Sequence, residues 1–244
     1  LDVSNPWNPR ELAFMDIRLY ADELAVDGEL VFSFSNGAGG NISFDVIDVS
    51  DPEDPQQRGS LHWGRPGPPE PFKSAIDAFN GTVVMVDDDG LMILDVSDPR
   101  RPAEVARWQR HDARDAALLD GLVAVAVASW NDPEDAAVEV VDLADPAAPA
   151  LVGSWPAPSA TNAVTRYGDA VAVGTELDGL FLLDLGDPTH PTVLEHWNSH
   201  GIAVRNLAGA WPNLVADHDD QGLTVLGRHP SCLPPRRPAG RADG

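Results

Sequence analysis

The chain has 244 residues, 43% of them apolar, enough for a sizeable buried core in one or two domains. No run nears the roughly 18 consecutive apolar residues that a membrane-spanning helix needs. Its 39 acidic side chains outnumber 16 basic ones, giving a net charge of −23 with Lys73 the only lysine. Such a surface repels phosphate backbones and anionic lipid, which excludes nucleic acid as a partner.

One segment recurs along the chain and organises it: DVSNPWNP at 2–9, DVSDPEDP at 48–55, DVSDPRRP at 95–102, DLADPAAP at 142–149 and DLGDPTHP at 184–191, with a worn copy, LTVLGRHP, at 223–230. The intervals are 46, 47, 47 and 42 residues. A period in this range marks a supersecondary unit that buries its apolar faces only by stacking on its neighbours. In chain order, Leu1 falls at the end of a third strand and 11–15 reads as an orphan fourth strand. Asp27-Gly28 is the first hairpin signal, and a proline-rich loop, GRPGPPEP, fills 64–71. The unit that follows is the clearest. Residues 74–79 form a short first strand, Asn80-Gly81 a two-residue hairpin, and 82–86 (TVVMV) a β-branched second strand. Residues 87–90 (DDDG) turn the chain into 91–96 (LMILDV), and 97–102 turn it into a fourth strand at 103–108.

The hairpin glycine returns as Gly121 and Gly168, the run 122–127 (LVAVAV) is apolar throughout, and a second long loop occupies 129–136. Continuous apolar runs mean sheets covered on both faces. The fourth strands carry a large residue at a fixed place, Trp108, Trp155 and Trp197, with Trp63 displaced by two and Met15 in the first copy. That placement predicts a packing wedge between sheets, each worth on the order of 2–3 kcal/mol. The last copy supplies strands near 203–207, 214–216 and 223–226.

Four-stranded antiparallel sheets packed in a ring are the blades of an all-β propeller. Five blades are expected over 1–227, the last completed by pairing the N-terminal strand 11–15 with the C-terminal three, or more blades if the chain is a fragment. Residues 228–244, rich in Pro and Arg and holding the single Cys232, read as a disordered tail. One cysteine builds neither an internal disulfide nor a cysteine zinc cluster. The start at Leu1, without Met or a signal-peptide pattern, fits a processed form or a fragment.

The register at 90–102 (GLMILDVSDPRRP), with RDAALLDG at 114–121, closely resembles the LVIVD repeat. The resemblance implies a β-propeller of the kind found in secreted or surface-attached proteins of bacteria and archaea, hence an extracellular, periplasmic or cell-surface location. It carries over no catalytic residue.

Chemistry is expected where the loops between strands two and three, and between strand four and the next strand one, open on one face. The polar residues starting the innermost strands, Asp115, Asn162 and Asn206, with Arg114 and Arg205 just before two of them, are expected to converge on the central channel and hold a polar ligand. Trp130 beside Asn131 and Asp132 offers flat apolar surface next to hydrogen-bonding groups, which suits a sugar or peptide. His111 and His200, each three residues after a register tryptophan, could join Asp217, His218 and Asp219 in a divalent-metal site of imidazole and carboxylate ligands. The run 217–222 (DHDDQG) starts like a calcium loop but has Arg228 where the twelfth-position carboxylate belongs, so a tight turn is expected there. No nucleophile elbow or phosphate-cradling loop is present. The expected function is a monomeric, non-enzymatic binder of a protein or glycan that needs no cofactor. The alternative is a metal-dependent, hydrolase-like enzyme.

Overall fold

The turns of the repeat are made by residue types that bend the backbone. The first hairpin of successive units is turned by residues at positive φ: Gly28 at 62°, Asn80 and Gly81 at 50° and 78°, Gly121 at 71° and Gly168 at 64°. Tight hairpins require such angles. In the recurring segment the first Asp accepts the N–H two residues on, from Ser50, Ser97, Ala144 and Gly186 at 2.7–2.9 Å, and the second Asp does the same for Glu53, Arg100, Ala147 and Thr189 at 3.0–3.1 Å. The repeat signature is thus a pair of consecutive Asx turns. These bonds hold Asp2, Asp95 and Asp187 below the ordinary carboxylate range, and Asp48, also bonded by Arg58, is lowered to about 2.

A computed structural model describes residues 2–5, 7–16, 21–37, 41–64, 75–87, 89–128, 135–210, 212–218 and 221–227. Nineteen strands form five antiparallel sheets in sequence order. Blade 1 holds β1 (Glu23–Asp27), β2 (Leu30–Gly37), β3 (Asn41–Asp48) and β4 (Gln56–Gly64). Blade 2 holds β5 (Ala75–Phe79), β6 (Thr82–Asp87), β7 (Gly90–Asp95) and β8 (Ala103–Gln109). Blade 3 holds β9 (Ala113–Leu118), β10 (Leu122–Val127), β11 (Ala137–Asp142) and β12 (Ala150–Pro156). Blade 4 holds β13 (Thr161–Tyr167), β14 (Ala170–Thr175), β15 (Leu180–Asp184) and β16 (Thr192–Trp197), and blade 5 holds β17 (Asn206–Ala210), β18 (Asn213–Asp217) and β19 (Leu223–Gly227). The chain is a five-bladed β-propeller.

The blades are joined by four apolar cores. Phe32, Phe34 and Phe44 of blade 1 pack on Val83, Met85 and Met92 of blade 2, and Val84 and Ile93 of blade 2 pack on Val123 and Val125 of blade 3. Ala124 and Val140 of blade 3 meet Val173 and Phe181 of blade 4, whose Ala172 and Leu182 meet Leu214 and Ala216 of blade 5. The expected wedges sit at these seams: Trp63, Trp108, Trp155 and Trp197 each pack, partly buried, against one of the four cores. Trp155 lies 5.0 Å from the Phe181 ring of the next blade, and Trp63 Nε1 donates to Glu104 of the next blade at 3.1 Å. Among the described residues no fifth core joins blade 5 to blade 1.

That seam differs in detail from the expected closure. The fifth sheet has three strands, and residues 11–16 form no ladder with β19. Among the described residues the N-terminal segment makes the isolated bridge Asp2–Arg10, the starting pair of the three-to-four hairpin that Asp48–Gln56 and Asp95–Ala103 begin in blades 1 and 2. The expected tail, with Cys232, lies outside the described residues.

Candidate functional site

Backbone bonds confirm which loops share a face. Arg110 N–H donates to Asp89 O, Ala128 N–H to Asp112 O, Ala157 N–H to Ala136 O, Glu176 N–H to Ala160 O, and Arg205 N–H to Asp217 O, at 2.8–3.0 Å. The two-to-three loops and the blade-to-blade loops therefore rim one end of the ring, and the hairpins and Asx turns rim the other.

At the loop end, blades 3, 4 and 5 bring together four of the side chains that matter. Arg114, 6% exposed, fixes its guanidinium by donating from Nε and Nη2 to Ala128 O at 2.9 and 2.8 Å. Arg205 clasps Glu176 with both terminal nitrogens at 2.5 and 3.0 Å, and Asn162 Nδ2 donates to the same carboxylate at 2.9 Å and to Val204 O at 3.2 Å. Burial pulls Arg114 below its ordinary value and Arg205 adds to this, while Asp112 and Glu176 oppose it. Arg114, Asn162 and Arg205 thus gather as expected. Asn206 bonds Asp217 Oδ2 at 2.9 Å at the edge of the group.

Asp115 has a different placement. Its two oxygens accept the N–H of Ala116 and, across the seam, of Val164, both at 2.8 Å, so it laces blade 3 to blade 4. Burial pushes it up to about 7, with the charges of Asp77 and Glu23 adding and the two backbone bonds opposing. Asp77 repeats the device between blades 2 and 3, accepting from Ala78 at 2.8 Å and Leu118 at 2.7 Å.

Two of these groups escape a reading of the sequence. Glu176 occupies the repeat position of Asp88 and Asp219, so alignment of the copies marks its place. Asp77 sits in an otherwise apolar inner strand, and nothing local signals that its partner is 41 residues away.

The proposed metal ligands fare differently from one another. His218 is 7% exposed, with Nδ1 2.9 Å from Ala203 O and Nε2 3.0 Å from Thr224 Oγ1. A carbonyl only accepts, so Nδ1 carries the proton and Nε2 accepts from the hydroxyl, which leaves neither nitrogen for a metal. Its ring packs 6.0 Å from Trp197. His111 and His200 are exposed, and His200 turns the loop at φ 57° with its N–H bonded to Asn198 Oδ1 at 2.6 Å. Among the described residues no three His, Cys, Asp or Glu side chains are grouped to hold a metal. Asp219, Trp130, Asn131 and Asp132 lie outside the described residues.

Comparison with known proteins finds a match to one repeat family within blade 2. Residues 82–109, the three outer strands of blade 2, match the family model of the LVIVD repeat. Among solved structures the chain resembles apo AztD from Citrobacter koseri, at 17% identity and a TM-score of 0.57 over 88% of this chain and 63% of that one. It also resembles a chain in the Mitotic Checkpoint Complex crystal structure, at 14% identity and 0.59 over 84% and 62%, and the computationally designed Ika8 protein, at 16% and 0.54 over 85% and 71%. At such identities the likeness is one of fold. A search of curated proteins found no match.

Proposed function

We propose that this five-bladed β-propeller, one blade of which matches the LVIVD repeat, is a non-enzymatic binding protein of the cell exterior that holds a protein or glycan against the loop end of its ring. The observation that carries this reading is the state of the polar groups there. Glu176 is held by Arg205 and Asn162, Arg114 is pinned to Ala128 O, and His218 has both nitrogens engaged. A general base or a metal ligand needs a lone pair to offer, and here three acceptor sites of Glu176 and both nitrogens of His218 are already engaged. Rigid, pre-placed donors favour recognition, because little side-chain freedom is lost on binding.

The ligand would meet guanidinium and amide donors from three blades, a chemistry suited to carboxylates, peptide carbonyls or sugar hydroxyls. An array of glycans and a panel of folded surface-protein domains, probed with the wild type and with the Asn162→Ala/Arg205→Ala double variant, tests this. Selective retention by the wild type and at least tenfold weaker retention by the variant are expected. Turnover of ester, phosphoester or peptide probes that stops on chelation would overturn the reading in favour of a metal-dependent enzyme.

A further inference from the structure

Blade 1 has two unlike faces. Phe32, Phe34, Ile42, Phe44 and Val46 turn to blade 2, whereas the opposite face of the same two strands carries Ser33, Ser35, Ser43 and Asp45, exposed by only 0%, 1%, 1% and 6%. Ser33 pairs across the ladder with Asp45, and Ser35 with Ser43. Four oxygen-bearing side chains therefore stand at the corners of one sheet cell, about 7 Å along the strands and about 5 Å across them. In blades 2, 3 and 4 the pair equivalent to Ser33–Asp45 is Met85–Met92, Val125–Glu139 and Val173–Phe181. In blade 5 the pair is Ala216–Thr224, whose hydroxyl is taken by His218, so packing of the repeat does not ask for an unpartnered hydroxyl here.

Among the described residues the three serine hydroxyls are buried, and none has a hydrogen-bond partner beyond the Asp45 carboxylate that Ser43 faces. Buried hydroxyls left in that state are costly, and native chains rarely leave three together without something bound to them. Asp45 accepts a bond from Gln57 Nε2 at 2.6 Å, and His62, opposite Ser43 on the next strand, is exposed. Burial raises the Asp45 carboxyl, with His62, Gln57 and Ser43 opposing.

We propose that Ser33, Ser35, Ser43 and Asp45 form a binding site for a single monovalent metal cation of the sodium or potassium type. All donors are oxygen, which selects hard cations over transition metals. The charge count selects the valence: one carboxylate and three neutral hydroxyls balance a single positive charge, and a divalent ion would leave a surplus charge buried. The strongly acidic chain concentrates cations at its surface. A cell of this size brings four side-chain oxygens around one central point, and the ion would tie β2 to β3 on the buried face turned away from blade 2.

The test is thermal unfolding in sodium chloride, potassium chloride and N-methylglucamine chloride at equal ionic strength, for the wild type, Asp45→Asn and Ser35→Ala. At about ten times the dissociation constant the wild-type midpoint should rise by about 3–5 °C in one alkali salt over N-methylglucamine. Both variants should lose that difference. Identical wild-type midpoints in the three salts, or a difference that survives in both variants, would overturn the site, the first result assigning the hydroxyls to ordered water. Sodium-23 line broadening by the wild type, relieved by potassium, gives a readout independent of any variant's folding, and its absence counts against the proposal.

Discussion

Asp115 should govern how stability varies with pH in the middle range. Its carboxyl rises from an ordinary 3.8 to about 7 because it is enclosed between blades 3 and 4 near Asp77 and Glu23. An acid raised on folding keeps its proton in the native chain after the unfolded chain has lost it. Stability is therefore fully present below about pH 4, falls as pH rises, and levels off past about 7. That difference between the folded and unfolded chain is worth about 4 kcal/mol, and the surface that Asp115 retains toward the channel trims this to about 2–4 kcal/mol. Asp115→Asn abolishes the titration and loses one acceptor oxygen, an offset that does not depend on pH. Urea unfolding followed by tryptophan fluorescence at pH 4.5, 6, 7 and 8 separates the two effects. The wild type should lose about 2–4 kcal/mol more than the variant between the extremes. Burial also raises Glu23, Asp45, Asp77 and Glu139, so the variant keeps a shallower slope of the same sign. Parallel curves for the two proteins would refute the assignment.

Below that range the sign reverses, because Asp48 is lowered to about 2 and Asp2, Asp95 and Asp187 are lowered too; acid unfolding should deepen as pH falls from 4 toward 2, and circular dichroism would show it. Trp155→Ala removes a wedge packed on Phe181 and should cost about 2–4 kcal/mol in urea unfolding. Gly179 sits at φ 90°, where an added Cβ would strike the Trp197 carbonyl, whereas Gly222 at φ 97° has open space around it. Gly222→Ala should thus cost about 1–2 kcal/mol and Gly179→Ala clearly more, a ranking that melting temperatures would test. A double-mutant cycle on Arg205 and Glu176, about a third exposed, should return a coupling of about 1 kcal/mol. Replacing His111 and His200 together by alanine should leave ligand retention within about twofold, read on the same array.

Blade number, hairpins and wedges were legible because each rests on local chemistry repeated in every copy. Asp48 and Asp95 bond two residues onward, and Trp108 and Trp155 keep one register, so the period displays them. Arg114, Asn162 and Arg205 were legible as a converging set because inner-strand starts share one end of a propeller. What binds them was not. Glu176 reaches Arg205 across 29 residues, and only the folded ring sets them side by side. His218 looked like a ligand by type, yet the carbonyl of Ala203 and the hydroxyl of Thr224 claim its nitrogens, and both partners come from other segments. The serine face of blade 1 was invisible for the same reason: alternation of Phe and Ser in 32–35 gives a two-sided strand, but not what covers its polar side.

Among the described residues four apolar cores join the five sheets and none joins blade 5 to blade 1, so local opening should begin at that seam and travel inward. The edge of β19 bears Leu223 and Val225 at 70% and 66% exposure, while Val125, Val138 and Val140 of blade 3 show none. Amide exchange should therefore be fastest along β17–β19 and slowest in β10 and β11, and a ligand that binds across the seam would slow exchange even in blades it never touches.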